Sequence, residues 1–338
     1  MMKHACFVFL LLLVYTIPSF SQKLIGANTV TPRMRVIVDN DFSGDPDGLF
    51  QLAHLLLSPS VEIRAIIGSH LKEGDGFDPS RTQAQNAAAK AKELLQVMKI
   101  KNNIPVLAGS NTAMPNDSTP VKSDAVTFII KEALRTDTKQ PLYLLCGAGL
   151  TEIASALLTA PQISGKLTLV WIGGPEYTDI ALPPPNYSSP EYNLNIDIAA
   201  ARVVFNQSQI PVWQVPRNTY RQALLPYSQL LLKVAPQGKV GAYLTGVLES
   251  LMTRIQQYVN IGETYILGDS PLVLLTALQS SFEADPSSSA YVIKPAPIIN
   301  TQGAYEYNHH GRNIRVYTRL DTELMFSDFF AKLELMNR

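Results

Sequence analysis

Short apolar runs and amphipathic segments alternate along most of the chain. Runs rich in Val, Ile and Leu predict buried strands, and segments with apolar residues at helical spacing predict helices. The predicted strands are residues 34–39, 61–68, 104–109, 141–147, 166–174 and 210–216. The predicted helices are residues 47–58, 81–99, 124–136, 150–161, 196–207 and 270–282. This alternation predicts an α/β fold with a largely parallel central sheet and helices on both faces.

Two stretches interrupt the pattern with Pro and Ser, at residues 182–193 and 284–297. We interpret both as loops and not as linkers between domains. Residues 22–338 are therefore expected to form a single domain. Hydrophobic residues make up 46% of the chain, enough for a sizeable core.

The first residues have the three-part pattern of a secretory signal peptide. Lys3 precedes an apolar run at residues 6–17, and Ser19 and Ser21 occupy the small-residue positions of a cleavage site before Gln22. The apolar run is too short to span a bilayer comfortably. We therefore expect residues 1–21 to be removed and the mature protein to be secreted or periplasmic, with no membrane attachment. The mature chain has one cysteine and so no intrachain disulfide.

The charge balance argues against two classes of partner. The chain has 28 Lys and Arg residues against 28 Asp and Glu residues. It therefore lacks the basic excess by which nucleic-acid-binding or membrane-surface proteins are recognised. A small-molecule partner is expected instead.

Four carboxylates crowd the turn between the first predicted strand and the first predicted helix. Asp39, Asp41, Asp45 and Asp47 fall within nine positions. Ligands of open α/β sheets bind at the carboxyl ends of the strands, where this turn would lie. Because like charges so close repel, a bound cation, shared protons or exposure to water must offset the cost.

Two interpretations of the acidic turn fit poorly. An EF-hand would need a Glu at its twelfth position, where Phe50 stands, and a helix in place of the preceding strand. A phosphatase of the haloacid-dehalogenase type would use Asp39 as nucleophile and Asp41 as acid. That interpretation stays open as a minor alternative, although it leaves Asp45 and Asp47 without a role.

A third interpretation rests on several motifs in order. The turn D-N-D-F-S-G-D-P-D-G at 39–48 resembles the metal-binding turn of the inosine–uridine-preferring nucleoside hydrolases. Residues 144–174, 191–207, 211–225 and 268–278 resemble later motifs of that family, in the same order. The resemblance runs from about residue 35 to about residue 277. It implies the Rossmann-like nucleoside hydrolase fold and an enzyme that hydrolyses the N-glycosidic bond of ribonucleosides, or of a related ribosyl compound, with a Ca²⁺-bound water.

The resemblance also assigns roles to the acidic residues. Asp41 would be both the general base and a Ca²⁺ ligand, with Asp47, Asp269 and the backbone of Gly147 as further ligands. Asp39 would lie next to the metal ligands and support them without binding the cation itself. The alignment within the turn is open by one or two positions, because Pro46 separates Asp45 from Asp47.

Further residues would contact the substrate. Asp45, Glu191 and Asn193 match ribose-binding positions of the family, and His70 follows the second predicted strand at the ligand-binding edge. Asp197 is expected to cap a helix. The resemblance leaves a homodimer or a homotetramer open as the assembly.

The chain departs from the family pattern on the leaving-group side. Gly268 stands where some relatives carry the His that protonates the departing base. His309 and His310 are expected to lie in a loop. Aromatic stacking on the base could come from Trp171, Tyr177, Tyr187, Trp213, Tyr258 or Tyr265, most of which we expect to be packing residues. A non-catalytic protein that binds ribosyl compounds is the competing interpretation.

Overall fold

The computed structural model describes residues 29–101, 103–187, 190–280 and 288–338. The predicted signal peptide, residues 1–21, lies outside this range. No helix of the described residues combines the length and the apolar character needed to cross a membrane.

An eight-stranded sheet forms the centre of the fold, in the order β3-β2-β1-β4-β5-β6-β12-β9. Neighbouring strands are parallel, except that β9 runs antiparallel to β12. The sheet strands are β1 (Met34–Asn40), β2 (Val61–Gly68), β3 (Val106–Ala108), β4 (Leu142–Gly147), β5 (Thr168–Ile172), β6 (Val212–Val215), β9 (Ala290–Pro295) and β12 (Asn313–Arg319). Two small antiparallel pairs join β7 (Leu224–Pro226) to β8 (Thr264–Ile266) and β10 (Ile298–Ile299) to β11 (Tyr305–Glu306).

Helices lie between the strands along the chain. They are α1 (Asp47–Leu56), α2 (Gln83–Val97), α3 (Asp124–Ala133), α4 (Thr151–Thr159), α5 (Tyr192–Ile196), α6 (Ile198–Arg202), α7 (Arg217–Tyr220), α8 (Tyr227–Gln229), α9 (Gly238–Ile255), α10 (Pro271–Leu274) and α11 (Thr322–Asn337). A 3₁₀ turn covers Pro161–Ile163, and π-helical turns cover Val203–Gln207 and Leu230–Val234.

The sheet separates two hydrophobic cores. Along β1, the side chains of Val36 and Val38 join the core that α1 and α11 cover, and Ile37 joins the core that α3 and α4 cover. Successive side chains of a strand point to opposite faces, so a strand buried on both faces becomes a continuous apolar run. The predicted α/β fold with helices on both faces is confirmed.

Some predicted boundaries differ from the structure. The helix predicted at 270–282 is limited to Pro271–Leu274 among its described residues. The loop predicted at 284–297 contains strand β9, and α5 begins inside the loop predicted at 182–193. β9 was missed because it is an edge strand with exposed apolar residues such as Ile293, so its sequence lacks the pattern of a buried strand.

Candidate active site

The acidic turn lies at the carboxyl edge of the sheet, as predicted. β1 ends at Asn40, whose neighbours in the sheet are Gly68 at the end of β2 and Gly147 at the end of β4. α1 then begins at Asp47. Asp269 reaches the same edge from the other end of the chain, just after β8.

A cavity of about 230 Å³ opens at this edge. Its lining combines acidic, amide and aromatic residues. They are Asp41, Asp45, Asp47, Phe77, Gly147, Ile172, Glu191, Tyr192, Asn193, Tyr220, Ile266, Gly268 and Asp269. The predicted metal ligands and the predicted ribose contacts Asp45, Glu191 and Asn193 thus surround one cavity. Asp39 and His70 are not among its lining residues.

A larger cavity, of about 980 Å³, lies on the far side of the acidic turn between α2 and α9. It shares Phe77 with the smaller cavity, but Asp41, Asp45, Asp47 and Asp269 are not in its lining. The smaller cavity is therefore the candidate active site, because the carboxylates lie there.

Hydrogen bonds connect the acidic turn to the segment around Asp269. The backbone N–H of Asp269 donates to Asp47 Oδ2 at 3.1 Å, and Asn40 Nδ2 donates to Asp269 Oδ2 at 2.9 Å. The hydroxyl of Tyr265, on β8, donates to Asp45 Oδ2 at 2.7 Å. These contacts hold two segments, 220 or more positions apart in sequence, at one site.

Gly147 permits this close approach. A Cβ atom at position 147 would lie 2.6 Å from Asp269 Oδ1 and 2.6 Å from Asn40 Nδ2. Side-chain carbons do not come so close to polar atoms, so any other residue would displace Asp269. The backbone of Gly147 therefore lies against the predicted metal ligand Asp269.

The carboxylates of the cavity disfavour their own ionisation. Burial, followed by repulsion from Asp269 and Asp45, raises the pKa of Asp41 well above its ordinary value. Burial and repulsion from Asp269, Asp45 and Asp41 raise the pKa of Asp47 in the same way. Burial raises the pKa of Asp269 to about 7. A divalent cation at this position would remove the repulsion and favour the ionised forms.

The donor set fits a hard cation. Clustered carboxylates, a backbone carbonyl and water are the oxygen ligands that Ca²⁺ takes. Within the described residues, no group of three or more His, Cys, Asp or Glu side chains is already arranged around a metal position. The fit rests on the composition of the cavity lining and on the unbalanced negative charge.

Asp39 does not line the cavity and instead forms a second acidic pair with Glu152. The hydroxyl of Ser69 donates to Asp39 Oδ1, and Glu152 Oε1 accepts the backbone N–H of Ser110 at 2.7 Å. Burial raises the pKa of Asp39 to about 7 and, with repulsion from Asp39, that of Glu152 to about 8. Because Asp39 is fully buried and does not line the cavity, its position does not suit the nucleophile of a phosphatase.

Glu191 is held on one side by backbone groups. It caps α5, and its Oε2 accepts the N–H of Leu194 at 3.0 Å and that of Gly174 at 2.8 Å. Its Oε1 accepts the hydroxyl of Tyr220 at 2.9 Å. Asn193 Nδ2 donates to the carbonyl of Ile172 at 2.8 Å. The predicted ribose contacts Glu191 and Asn193 thus have defined orientations at the cavity.

The histidines have other surroundings. His70 is buried, with Nδ1 2.8 Å from the Leu71 carbonyl and Nε2 2.9 Å from the Thr151 hydroxyl. Both ring nitrogens therefore face protein atoms, and the predicted substrate contact of His70 has no support from its position. Asp197 caps α6, as expected, and His309 and His310 lie in a loop.

Several residues of the cavity were not identified from the sequence. They are Phe77, Tyr192 and Tyr220, together with Asn40, which does not line the cavity but donates a hydrogen bond to Asp269. Of the aromatic residues proposed for base stacking, Tyr265 reaches the acidic turn, whereas Trp171 is buried and donates to the Ala148 carbonyl. Asn40 and Tyr192 lie inside recognised motifs, which is a usable signal. Tyr220 also lies inside a recognised motif, at residues 211–225, so only Phe77 lies outside every motif and reaches the site through tertiary contacts alone.

Comparisons with known proteins identify the fold. A purine-preferring ribonucleoside hydrolase from Gardnerella vaginalis superposes with a TM-score of 0.69 at 18% identity, over 90% of this chain and 99% of that one. A plant nucleoside hydrolase, the PpNRh1 enzyme, gives 0.68 at 18% identity, over 90% and 99%. The inosine-uridine preferring nucleoside hydrolase from Bacillus anthracis gives 0.64 at 20% identity, over 89% and 99%. The comparison with curated proteins gives no match.

The family follows from the sequence profile. The profile of the family "Inosine-uridine preferring nucleoside hydrolase" matches residues 36–327, most of the chain. This range includes the acidic turn, Glu191, Asn193 and Asp269. The family consists of glycosidases that act on nucleosides, which also displaces the phosphatase alternative. The chain belongs to the inosine-uridine preferring nucleoside hydrolase family.

Proposed function

We propose that the protein is a Ca²⁺-dependent nucleoside N-ribohydrolase that releases the base from a ribonucleoside or a related ribosyl compound. The observation that carries this proposal is the convergence of Asp41, Asp45, Asp47 and Asp269 on one cavity that also contains Glu191 and Asn193. The family membership supports the reaction class. The identity of the cation is inferred from the oxygen-rich donor set.

The cation would be held by Asp41, Asp47, Asp269 and the backbone of Gly147. When bound, Ca²⁺ supplies positive charge that lowers the pKa of a coordinated water and orients hydroxyl groups. Asp41 can then accept a proton from water only as a carboxylate. In the metal-free protein its raised pKa opposes that state. We therefore expect cation binding and ionisation of Asp41 to be coupled, with release of protons.

Glu191, Asn193 and Asp45 would bind the ribose. Carboxylate and amide oxygens accept hydrogen bonds from sugar hydroxyls. Holding the ribose fixed lets the bond to the base break through a cation-like state, as in glycoside hydrolysis generally. Phe77, Tyr192 and Tyr220 supply an aromatic wall to the cavity, which suits a planar leaving base.

Among the residues that the structure describes, none is an evident acid on the leaving-group side of the cavity. Position 268 is Gly, and His70, His309 and His310 do not line the cavity. General acid catalysis is typically worth about 10²–10⁴-fold. We therefore expect p-nitrophenyl riboside, whose leaving group needs little protonation, to react much faster than inosine or uridine.

The test is a Ca²⁺ titration of the purified protein in weak buffer. Proton release, Ca²⁺ binding and ribose release are measured with p-nitrophenyl riboside, inosine and uridine. Proton release with binding, and ribose release that requires Ca²⁺, are expected. Binding of nucleosides without ribose release would instead support the competing role of a non-catalytic binding protein. Equal kcat/KM for the three substrates would show that a residue of the protein protonates the departing base.

We also propose that the protein acts outside the cytoplasm, on the strength of the sequence at residues 1–21 alone. Expression of the full chain with a C-terminal tag, followed by N-terminal sequencing, tests this. An N-terminus at Gln22 in the exported fraction is expected. An uncleaved chain retained in the cytoplasm would contradict the proposal.

A further inference from the structure

Gly268 and Tyr220 occupy adjoining parts of the cavity wall. A Cβ atom at position 268 would lie 3.3 Å from Tyr220 Cδ2, 3.3 Å from Asp47 Oδ2 and 3.8 Å from Ile266 Cγ2. The first two contacts are closer than ordinary van der Waals contact. A side chain at position 268 would therefore require the Tyr220 ring or the Asp47 carboxylate to shift by a few tenths of an ångström.

Tyr220 is fixed by its own backbone. It ends the short helix α7, where its N–H donates to the Pro216 carbonyl at 3.0 Å and its carbonyl accepts the N–H of Ala223 at 3.1 Å. Its ring packs against the core on the α1 and α11 side of the sheet. The ring is thus placed by the turn that follows β6, and not by Glu191 alone.

The phenol sets the direction of one oxygen of Glu191. Glu191 Oε2 accepts two backbone N–H groups, from Gly174 and Leu194. Tyr220 supplies the 2.9 Å hydrogen bond to Oε1. Since the phenol O–H is given to Glu191, it is not directed at a leaving base. Hydrogen bonds to a charged acceptor are the stronger kind, so this contact can hold Oε1 in one orientation.

We propose that Tyr220 is a positioning residue that orients Glu191 toward a ribose hydroxyl, and that Gly268 is glycine because a side chain there would displace the Tyr220 ring. The ribose contact of Glu191 rests on the function proposed above. Tyr220 then sets specificity for ribosides over substrates that lack the hydroxyl bound by Glu191. The spatial pairing of positions 220 and 268 is independent of the reaction.

The pairing is tested by a double-mutant cycle on protein stability. Gly268→Ala is introduced into the wild type, into Tyr220→Phe, which keeps the ring, and into Tyr220→Ala, which removes it. Unfolding in denaturant is measured for all six proteins. Gly268→Ala should lower the unfolding midpoint in the first two backgrounds and clearly less in the third. Equal effects in all three would overturn the pairing, whatever the enzyme does.

The positioning role is tested by the kinetics of Tyr220→Phe. KM for p-nitrophenyl riboside and the inhibition constant of ribose should each rise about tenfold, as expected for loss of a hydrogen bond to a charged group. kcat should change less, and Ca²⁺ affinity should not change. A panel of 2′-, 3′- and 5′-deoxyribosides should show reduced discrimination against one of them.

The outcomes separate this inference from the proposed function. If the wild type releases no ribose from any substrate, the proposed function fails, but ribose binding to wild type and Tyr220→Phe still tests the role of Tyr220. Wild-type ribose affinity and unchanged discrimination in Tyr220→Phe would overturn the positioning role. A loss of kcat without a change in KM or ribose affinity would also overturn it.

Discussion

Asp41 faces two opposing requirements. As the proposed general base it must be ionised, but its burial and the carboxylates of Asp269, Asp45 and Asp75 raise its pKa. In the unfolded chain Asp41 has the ordinary carboxyl pKa, near 4, because it is neither buried nor close to the other carboxylates. At pH values between this pKa and the raised pKa of the folded state, the folded protein therefore holds a proton that the unfolded chain has released. The stability contributed by the neutral form is therefore lost as pH rises. The proposed role of Asp41 as a base therefore lowers the stability of the metal-free protein.

Asp41→Asn should separate the two requirements. The amide cannot ionise, so ribose release should fall by about 10²–10⁴-fold, the typical worth of a general base. The metal-free variant should be more stable than the wild type by about 0.5–2 kcal/mol, and this advantage should grow as pH rises from the ordinary carboxyl pKa near 4 toward the raised pKa of Asp41. Denaturant unfolding in EDTA at several pH values measures it.

A matched control is Asp137→Asn, far from the cavity. The Asp137 carboxylate is exposed and paired with Arg135 at 2.9 Å. Its replacement should change stability little, because exposed ion pairs contribute little. A metal-free Asp41→Asn protein that is less stable than the wild type, or one that keeps its activity, would show that Asp41 has another role.

At the scale of elements, the two ends of β1 have different functions. The carboxyl end carries the acidic turn. The other end carries Arg35, which pairs with Glu132 on α3 at 2.5 Å, with both side chains about 5% exposed. Glu132 also accepts hydrogen bonds from Arg64 and Arg135, each at 3.1 Å. This cluster joins β1, β2 and α3 on the side of the sheet away from the cavity.

Glu132→Gln should therefore affect stability and not catalysis. Removing one partner of a buried ion pair is costly, and we expect a loss of about 3 kcal/mol, at the low end of the range because Gln keeps an acceptor. kcat/KM should be unchanged below the unfolding transition. Glu93→Gln, which breaks the exposed pair with Lys90, is the control and should cost less than about 1 kcal/mol. A changed kcat/KM would mean that β1 transmits strain to its acidic end.

The sequence predicted the elements whose signals are local. β1 and β2 are rich in Val and Ile, and α2 repeats buried Ala residues at helical spacing, so each was recognised from its own residues. β9 depends on distant partners. It pairs with β12, and Arg315 on β12 stacks between Trp213 and Tyr291, at 4.3 and 4.0 Å from the ring centroids. No local pattern in a Pro- and Ser-rich segment announces such contacts.

The candidate site divides in the same way. Asp41, Glu191 and Asp269 lie in motifs and could be named from the sequence. Tyr220 also lies in a motif, but its hydrogen bond to Glu191 and its contact with position 268, 48 positions away, are tertiary and have no local signal. His70 illustrates the converse: a residue at the right edge of the sheet that the fold directs toward Leu71 and Thr151. A position at the end of a strand predicts that a residue lies at the carboxyl edge of the sheet. The direction of its side chain depends on tertiary packing.

At the scale of the whole molecule, the cavity joins distant parts of the chain. The contact between Asn40 and Asp269 spans 229 positions, and that between Tyr265 and Asp45 spans 220. A cation held by Asp41, Asp47 and Asp269 would therefore bind the folded state and not the unfolded chain. Such a ligand stabilises a protein in proportion to the logarithm of its concentration relative to its dissociation constant.

Ca²⁺ should accordingly raise the melting temperature. At a free concentration about 100 times its dissociation constant, one site contributes about 2.7 kcal/mol, which corresponds to a shift of several degrees for a chain of this length. Mg²⁺ should have a smaller effect, because it demands a tighter octahedral arrangement of ligands. Asp269→Asn should abolish the Ca²⁺-dependent shift, and Asp137→Asn should preserve it. Thermal melts in EDTA and at stepped Ca²⁺ concentrations measure all of these. If the wild type hydrolyses ribosides in EDTA and melts at the same temperature with and without Ca²⁺, the carboxylates of the cavity do not hold a cation, and their charge must be balanced by shared protons.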